Sequence, residues 1–103
     1  MISRYHGGAF VVFSKTLNDN MEIREEDYAA TMMAVQNLML TAVSIGLGTH
    51  IRTGAIMDDP AARAAAGTED GERIVAVLTV GEPAEVPEAK ARRAAAELLR
   101  WME

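Results

Sequence analysis

The segment from Tyr28 to Ile45 constrains this chain more than any other. It is apolar almost all round at helical spacing. Tyr28, Met32, Val35, Met39 and Ala42 form one stripe, and Met33, Leu40 and Val43 widen it. The face that remains, Ala30, Ala34, Asn37, Thr41 and Ser44, is narrow, small and mildly polar. A surface helix keeps one broad polar face. This one does not, so it should be packed on most sides. A chain of 103 residues forms one small domain and buries roughly two-thirds of its surface at most. A second subunit, or a further segment, is expected against the helix. A membrane span is not expected. Thr31, Gln36, Asn37, Thr41 and Ser44 interrupt the run, and a spanning helix wants about 20 mostly apolar residues.

The flanking segments supply the rest of a small α+β layer structure. Ala9-Phe10-Val11-Val12-Phe13 is short, aromatic and β-branched, and reads as a buried strand. Lys15 to Met21 is polar, and its Asn18-Asp19-Asn20 reads as a loop. Glu25, Glu26 and Asp27 then open the long helix, since acidic side chains suit the positive end of the helix dipole. Gly46 ends it as a left-handed cap. Leu47 to Gly54 follows as a short strand or extended loop. Asp58 or Asp59 caps a second helix with Pro60 in its first turn, Ala61–Ala66 fills it, and Gly67 stops it. Glu69-Asp70-Gly71 is a turn. Arg73 to Val80 is the strongest strand and is apolar on both parities, as a central strand covered on both faces should be. Val86-Pro87 leads into a last amphipathic helix, Glu88 to Met102. Ala91, Ala94, Leu98, Trp101 and Met102 lie on one side of it, with Lys90, Arg93, Glu97 and Arg100 on the other. The order is β-α-β-α-β-α, without internal repeats.

Charge and composition exclude several classes of function. The net charge is −5, with ten basic and fifteen acidic residues and no basic block. Nucleic-acid binding needs Lys and Arg facing many phosphates, so no nucleic-acid partner is expected. Cysteine is absent, which removes disulfides, thiol nucleophiles and thiolate metal sites and fits a reducing compartment. His6 and His50 are the only histidines. No His-Glu-x-x-His pattern or carboxylate cluster accompanies them, so no metal is expected. Ser14 and Ser44 form no nucleophile elbow with them.

Three short constellations have both a bland and a functional reading. Gly46-Leu47-Gly48 lacks the strand before it and the third glycine of a dinucleotide fingerprint, and reads as a helix cap and turn. Asp58-Asp59 before Pro60 reads as a cap rather than an acid–base pair. Arg52 is the most informative residue. It sits between Ile51 and Thr53-Gly54 in a segment otherwise built for burial or close backbone approach. An arginine there needs an anionic or carbonyl partner. That partner is either a carboxylate of this chain or an anionic cofactor, with Gly54 letting the backbone come close.

The ordered set of motifs resembles the small FMN-dependent nitroreductases. It comprises Glu26-Asp27-Tyr28-Ala29-Ala30, Gln36-Asn37-Leu38-Met39-Leu40, Gly46-Leu47-Gly48, Ile51-Arg52-Thr53-Gly54-Ala55, Glu72-Arg73-Ile74-Val75-Ala76 and Val80-Gly81-Glu82-Pro83. These stand in family order and spacing from about Ala9 onward. The resemblance implies an α+β nitroreductase-like fold, with a mixed or antiparallel sheet flanked by helices. It implies that residues 1–103 are one domain, the C-terminal portion of the family's domain, without its N-terminal half. In the family that half brings the Arg-rich motif for the FMN phosphate and helices that complete the dimer.

The resemblance also implies a function. NAD(P)H, as NADH or NADPH, reduces the flavin and leaves; a nitroaromatic, quinone or similar small-molecule acceptor then takes the electrons. Ile51, Arg52, Thr53 and Gly54 would lie against FMN, with polar contacts from Arg52 and Thr53. Ile51 stands where the family often has Trp. Thr41, Ala42, Val43, Ser44, Ile45 and Gly46 match the helix end assigned to the nicotinamide cofactor. Helix 25–45 corresponds to the centre of the family's homodimer, and a cytoplasmic location is expected. The other expectation is a non-catalytic, truncated unit of the same fold that dimerises as a structural or interaction module.

Overall fold

The computed structural model describes residues 8–103; His6 lies outside them. Strand β1 (Ala9–Thr16) is followed by helix α1 (Met21–Ser44), strand β2 (Gly48–Arg52), a 3-10 turn (Ala55–Asp58) and helix α2 (Pro60–Ala65). Strand β3 (Glu72–Gly81) and a one-turn helix α3 (Ala95–Leu98) complete the order. The three strands form one antiparallel sheet in the order β1-β3-β2. The strand that is apolar on both parities therefore takes the centre, as its sequence requires.

Two helices end where the sequence places stops. At the end of α1 the amide of Leu47 donates to the Ala42 carbonyl and that of Gly46 to the Val43 carbonyl. This paired closure requires a left-handed residue between, and Gly46 has φ +83°. Helix α2 closes the same way, with Thr68 donating to Arg63 and Gly67 to Ala64. Its other end is capped by Asp59, whose carboxylate accepts from the amides of Ala61 and Ala62.

The start of α1 corrects the sequence reading. The helix opens at Met21, not at Glu25, because Asn20 is its cap and accepts from the amide of Glu22. Lys15 and Thr16 belong to β1 rather than to the loop. The polar run is thus one short loop whose last residue caps the helix, since turns and caps favour the same residue types.

Register decides which side chains form the core. Val11 pairs with Leu78, Phe13 with Ala76 and Ile51 with Leu78, so all of these share one face. Lys15, two residues beyond Phe13, donates from Nζ to the Arg24 carbonyl at 2.7 Å, which puts α1 over that face. Ala76 and Leu78 are sealed beneath it together with Val35 and Ala42 of the helix, and Ile74 and Val75, at the register shift between Phe13 and Ser14, are buried as well. The opposite parity carries Phe10 and Val12 of β1, Val77 and Thr79 of β3, and His50 and Arg52 of β2. No helix covers that parity fully: Phe10 is 73% exposed, and His50 and Arg52 are exposed as well.

Helix α1 rests on the sheet along a narrow stripe. Thr31, Val35, Leu38 and Ala42 turn inward, while Met33, Leu40 and Val43 are exposed. Its all-round apolarity is therefore only partly used within one chain. The last segment also departs from its sequence pattern. Only Ala95–Leu98 is helical, and residues 84–103 run on as an exposed arm on which Leu98, Leu99, Trp101 and Met102 are all solvent-facing. An isolated amphipathic helix of about 15 residues is marginal without a surface for its apolar side, and the described residues offer the arm none.

Candidate functional site

Strand β2 leaves Gly46 at one end and delivers Arg52-Thr53-Gly54 at the other. Along it Ile51 points towards α1 and is half-buried, while Arg52 points to the open face. The alternation of a strand enforces this division. Arg52 stands across from Val77 and His50 across from Thr79, so the two cationic or protonatable side chains of β2 share the open face. Phe10, from the other edge, also stands across from Thr79. The Thr79 hydroxyl oxygen is itself shielded from solvent and has no hydrogen-bond partner among the described residues.

The ion pair that composition alone allowed for Arg52 is not formed with any carboxylate among the described residues. The guanidinium is solvent-exposed, with a rigid planar fork of donors suited to a carbonyl edge or an anion. Thr53 and Gly54 follow, both exposed. Gly54 has φ +100° and ψ −152°. A Cβ at that position would meet nothing within 4 Å, so glycine is required there by the backbone angle and not by crowding. Immediately after it the 3-10 turn drops Met57 into the core, which anchors the segment.

The donor set fits the polar edge of a flavin. It offers a guanidinium with no ion pair among the described residues, one hydroxyl and an exposed backbone turn, on a surface bordered by the apolar side chains of Val12 and Val77. The space beside Gly54 is open, which leaves its backbone accessible to a ligand.

The second candidate segment is built differently. Thr41 donates from its hydroxyl to the Asn37 carbonyl and Ser44 to the Thr41 carbonyl, so both are engaged with their own helix. Ala42 is buried, whereas Val43 and Ile45 are exposed and Gly46 turns the chain. Val43 and Gly46 line a cavity of about 300 Å³ with Leu47, Thr49, Pro83 and Val86, at the small end for a ligand pocket. This segment does not meet Arg52 within one chain. Four residue steps of β2 separate Gly48 from Arg52, roughly 13 Å at about 3.3 Å per residue.

A larger groove of about 570 Å³ lies at the other end of α1, lined by Lys15, Leu17, Met21, Arg24, Tyr28 and Arg73 among others. Its cations are largely committed. Lys15 donates to the Arg24 carbonyl and Arg24 to the Asn18 carbonyl. Sequence reasoning had passed over the neighbours of Arg52, namely His50, Thr79, Val77, Val12 and Phe10. The period-2 alternation of His50 and Arg52 was the available signal, but only the register of β1 and β2 on β3 gathers the rest.

Comparisons with known proteins agree on one family. Residues 4–82 match the model of the nitroreductase family. A Bacillus subtilis protein named "Putative NAD(P)H nitroreductase YfhC" is 37% identical over 91 residues, which is 88% of this chain and 46% of that protein. The crystal structure of a nitroreductase-like family protein from Bacillus cereus superposes with a TM-score of 0.78 at 33% identity, over 91% of this chain and 50% of the other. That of a nitroreductase family protein from Streptococcus pneumoniae TIGR4, at 20% identity, shares the fold with a TM-score of 0.70 over 82% of this chain. The chain thus spans about half the length of the relatives it matches.

Proposed function

The chain belongs to the nitroreductase family, and from that premise we propose that it contributes to a flavin-dependent oxidoreductase using FMN and NAD(P)H. The observation that carries this reading is Arg52, exposed on the open face of the sheet and followed by the exposed Thr53-Gly54 turn. A bound FMN would supply the hydride relay between NADH or NADPH and a nitroaromatic, quinone or similar acceptor. The chain's own residues hold and orient. Arg52 and the Thr53 hydroxyl would donate to the polar edge of the ring, where a fixed positive charge would favour electron density. Ile51, half-buried across from Leu78, fixes β2 to the core, and beside a bound FMN it would give an aliphatic rather than an aromatic contact. Val12 and Val77 exclude water beside it.

The helix end 41–46 is proposed to serve the nicotinamide from a second copy. Within one chain it lies at the opposite end of β2 from Arg52. Pairing of two copies through α1 would also cover Met33, Leu40 and Val43. The small residues Ala30, Ala34 and Thr41 allow close helix contact there. A cytoplasmic homodimer is the assembly this reading requires.

The test is direct. Purified protein mixed with FMN should perturb the flavin spectrum, and adding NAD(P)H should then consume it in the presence of a nitroaromatic or quinone. A second reading is favoured by the half-length match to the relatives: a non-catalytic unit that dimerises through α1 as a structural or interaction module. A dimer with no flavin perturbation at any FMN concentration would select it.

A further inference from the structure

The groove at the start of α1 has two walls of different origin. Met21, Arg24, Glu25 and Tyr28 recur at helical spacing and form one wall. Lys15 of β1, Leu17 just beyond it and Arg73 of β3 form the other. The Lys15 ammonium spans the two, donating to the Arg24 carbonyl at 2.7 Å. The Leu17 amide donates to the Gly71 carbonyl, also at 2.7 Å, which ties its segment to the start of β3. The space between the walls is about 570 Å³, within the range of roughly 300–1,000 Å³ typical of small-molecule sites. Charge sets this groove apart. Lys15 and Arg73 stand directly across from each other on the β1–β3 ladder. Like charges so placed destabilise a sheet, and no carboxylate among the described residues pairs with either. The bonds of Lys15 and Arg24 go to neutral carbonyls, which position the cations and leave their charge uncompensated. Glu22 and Glu25 stand on the helix side, both exposed. Three cations against two carboxylates leave one positive charge in excess.

We propose that this groove binds a small aromatic monocarboxylate, its carboxylate bridging Lys15 and Arg73 and its ring lying against Leu17, Met21 and Tyr28. Each part of the ligand answers a feature of the groove. A carboxylate accepts two parallel bonds from a guanidinium fork, and the Lys15 ammonium keeps donors to spare beyond its one bond to Arg24. An anion between the two cations relieves their cross-strand repulsion. A ring suits the apolar lining, because Tyr28 offers it an aromatic neighbour and Met21 a sulfur. One negative charge matches the excess, whereas a second would be set against Glu22 and Glu25. Arg52 lies on the other face of the sheet, so this site is separate from the flavin reading and stands without it.

The experiment is titration of the isotope-labelled full chain with sodium benzoate at fixed ionic strength, read from amide chemical shifts. Saturable shifts are expected at Leu17, Tyr28 and Arg73, with Arg52 and Thr53 unmoved. Benzyl alcohol keeps the ring without the charge, and inorganic phosphate keeps charge without the ring. Each should bind roughly tenfold or more weakly than benzoate. Arg73→Gln should weaken benzoate by a similar factor, while Arg52→Gln should leave it unchanged. Glu25→Gln should tighten phosphate. Unaltered amide shifts at Ala76 and Leu78 check that the Arg73→Gln chain is folded. Absence of saturation overturns the proposal. So does phosphate or benzyl alcohol binding as tightly as benzoate, which would make the groove a plain anion or apolar surface. Shifts centred on Arg52 and lost in Arg52→Gln would put benzoate on the other sheet face and overturn it equally.

Discussion

Arg52 and Val77 stand directly across from each other on the β2–β3 ladder, on the sheet face that α1 leaves open. Ile51, one residue earlier, points the other way against Leu78. A single peptide step thus divides a side chain that fixes the strand from one that is free to meet a ligand.

Arg52→Ala should weaken FMN binding roughly ten- to hundredfold, the range of a charge-assisted hydrogen bond worth about 1.5–3 kcal/mol. Stability should stay within about 0.5 kcal/mol, because the side chain is exposed. Arg52→Lys should recover only part of the affinity, since a point charge cannot replace a planar fork. Flavin fluorescence titration alongside urea unfolding separates the two effects.

Leu78→Ala should destabilise the fold by about 2–5 kcal/mol. Leu78 has no exposed surface and sits where β1, β2 and α1 converge. For a domain this small the loss is a large part of total stability, so the variant should be mostly unfolded at 37 °C by circular dichroism.

Gly46→Ala should cost about 1–2 kcal/mol. A methyl group at that position touches nothing within 4 Å, so the whole cost comes from holding φ +83°. A comparable loss, about 1 kcal/mol, is expected for Asn20→Ala at the other end of the same helix. The two should add in thermal unfolding, because the sites lie at opposite ends of α1.

Leu40→Glu should lower self-association without unfolding the monomer. Leu40 is 58% exposed and turned away from the sheet. Analytical ultracentrifugation should show a dimer for the parent chain and a monomer for the variant at matched concentration. A parent chain that is monomeric throughout would refute pairing through α1.

Much of this architecture is legible in the sequence because local chemistry and global position coincide there. The two-sided apolarity of β3 is the composition of a centre strand. Gly46 and Gly67 stop helices through the angle they adopt, and Asp59 caps through its carboxylate. Legibility fails where one residue type serves two purposes. Asn18-Asp19-Asn20 reads as a loop, yet Asn20 is also the cap of α1, so the helix starts before its acidic residues. It fails again where a pattern needs a surface supplied from outside. Glu88–Met102 has the period of an amphipathic helix, but no described residue covers Trp101 and Met102, and only Ala95–Leu98 is helical. The surroundings of Arg52 were hidden for a third reason. Phe10, Val12, Val77 and Thr79 reach it only through strand register, which no short window of sequence contains.

The strand order also sets a timetable. Strands β1 and β2 have no ladder between them; each is hydrogen-bonded only to β3, the last of the three to be synthesised. As the chain leaves the ribosome, α1 is complete while the surface meant to receive Val35 and Ala42 does not yet exist. The nascent chain must carry that apolar helix uncovered until Gly81 emerges, and the sheet then forms from its centre outward in one late step. Such a dependence on non-local pairing slows folding and prolongs exposure to aggregation. Recombinant yield should therefore respond to chaperone supply during synthesis more than to the stability of the finished fold.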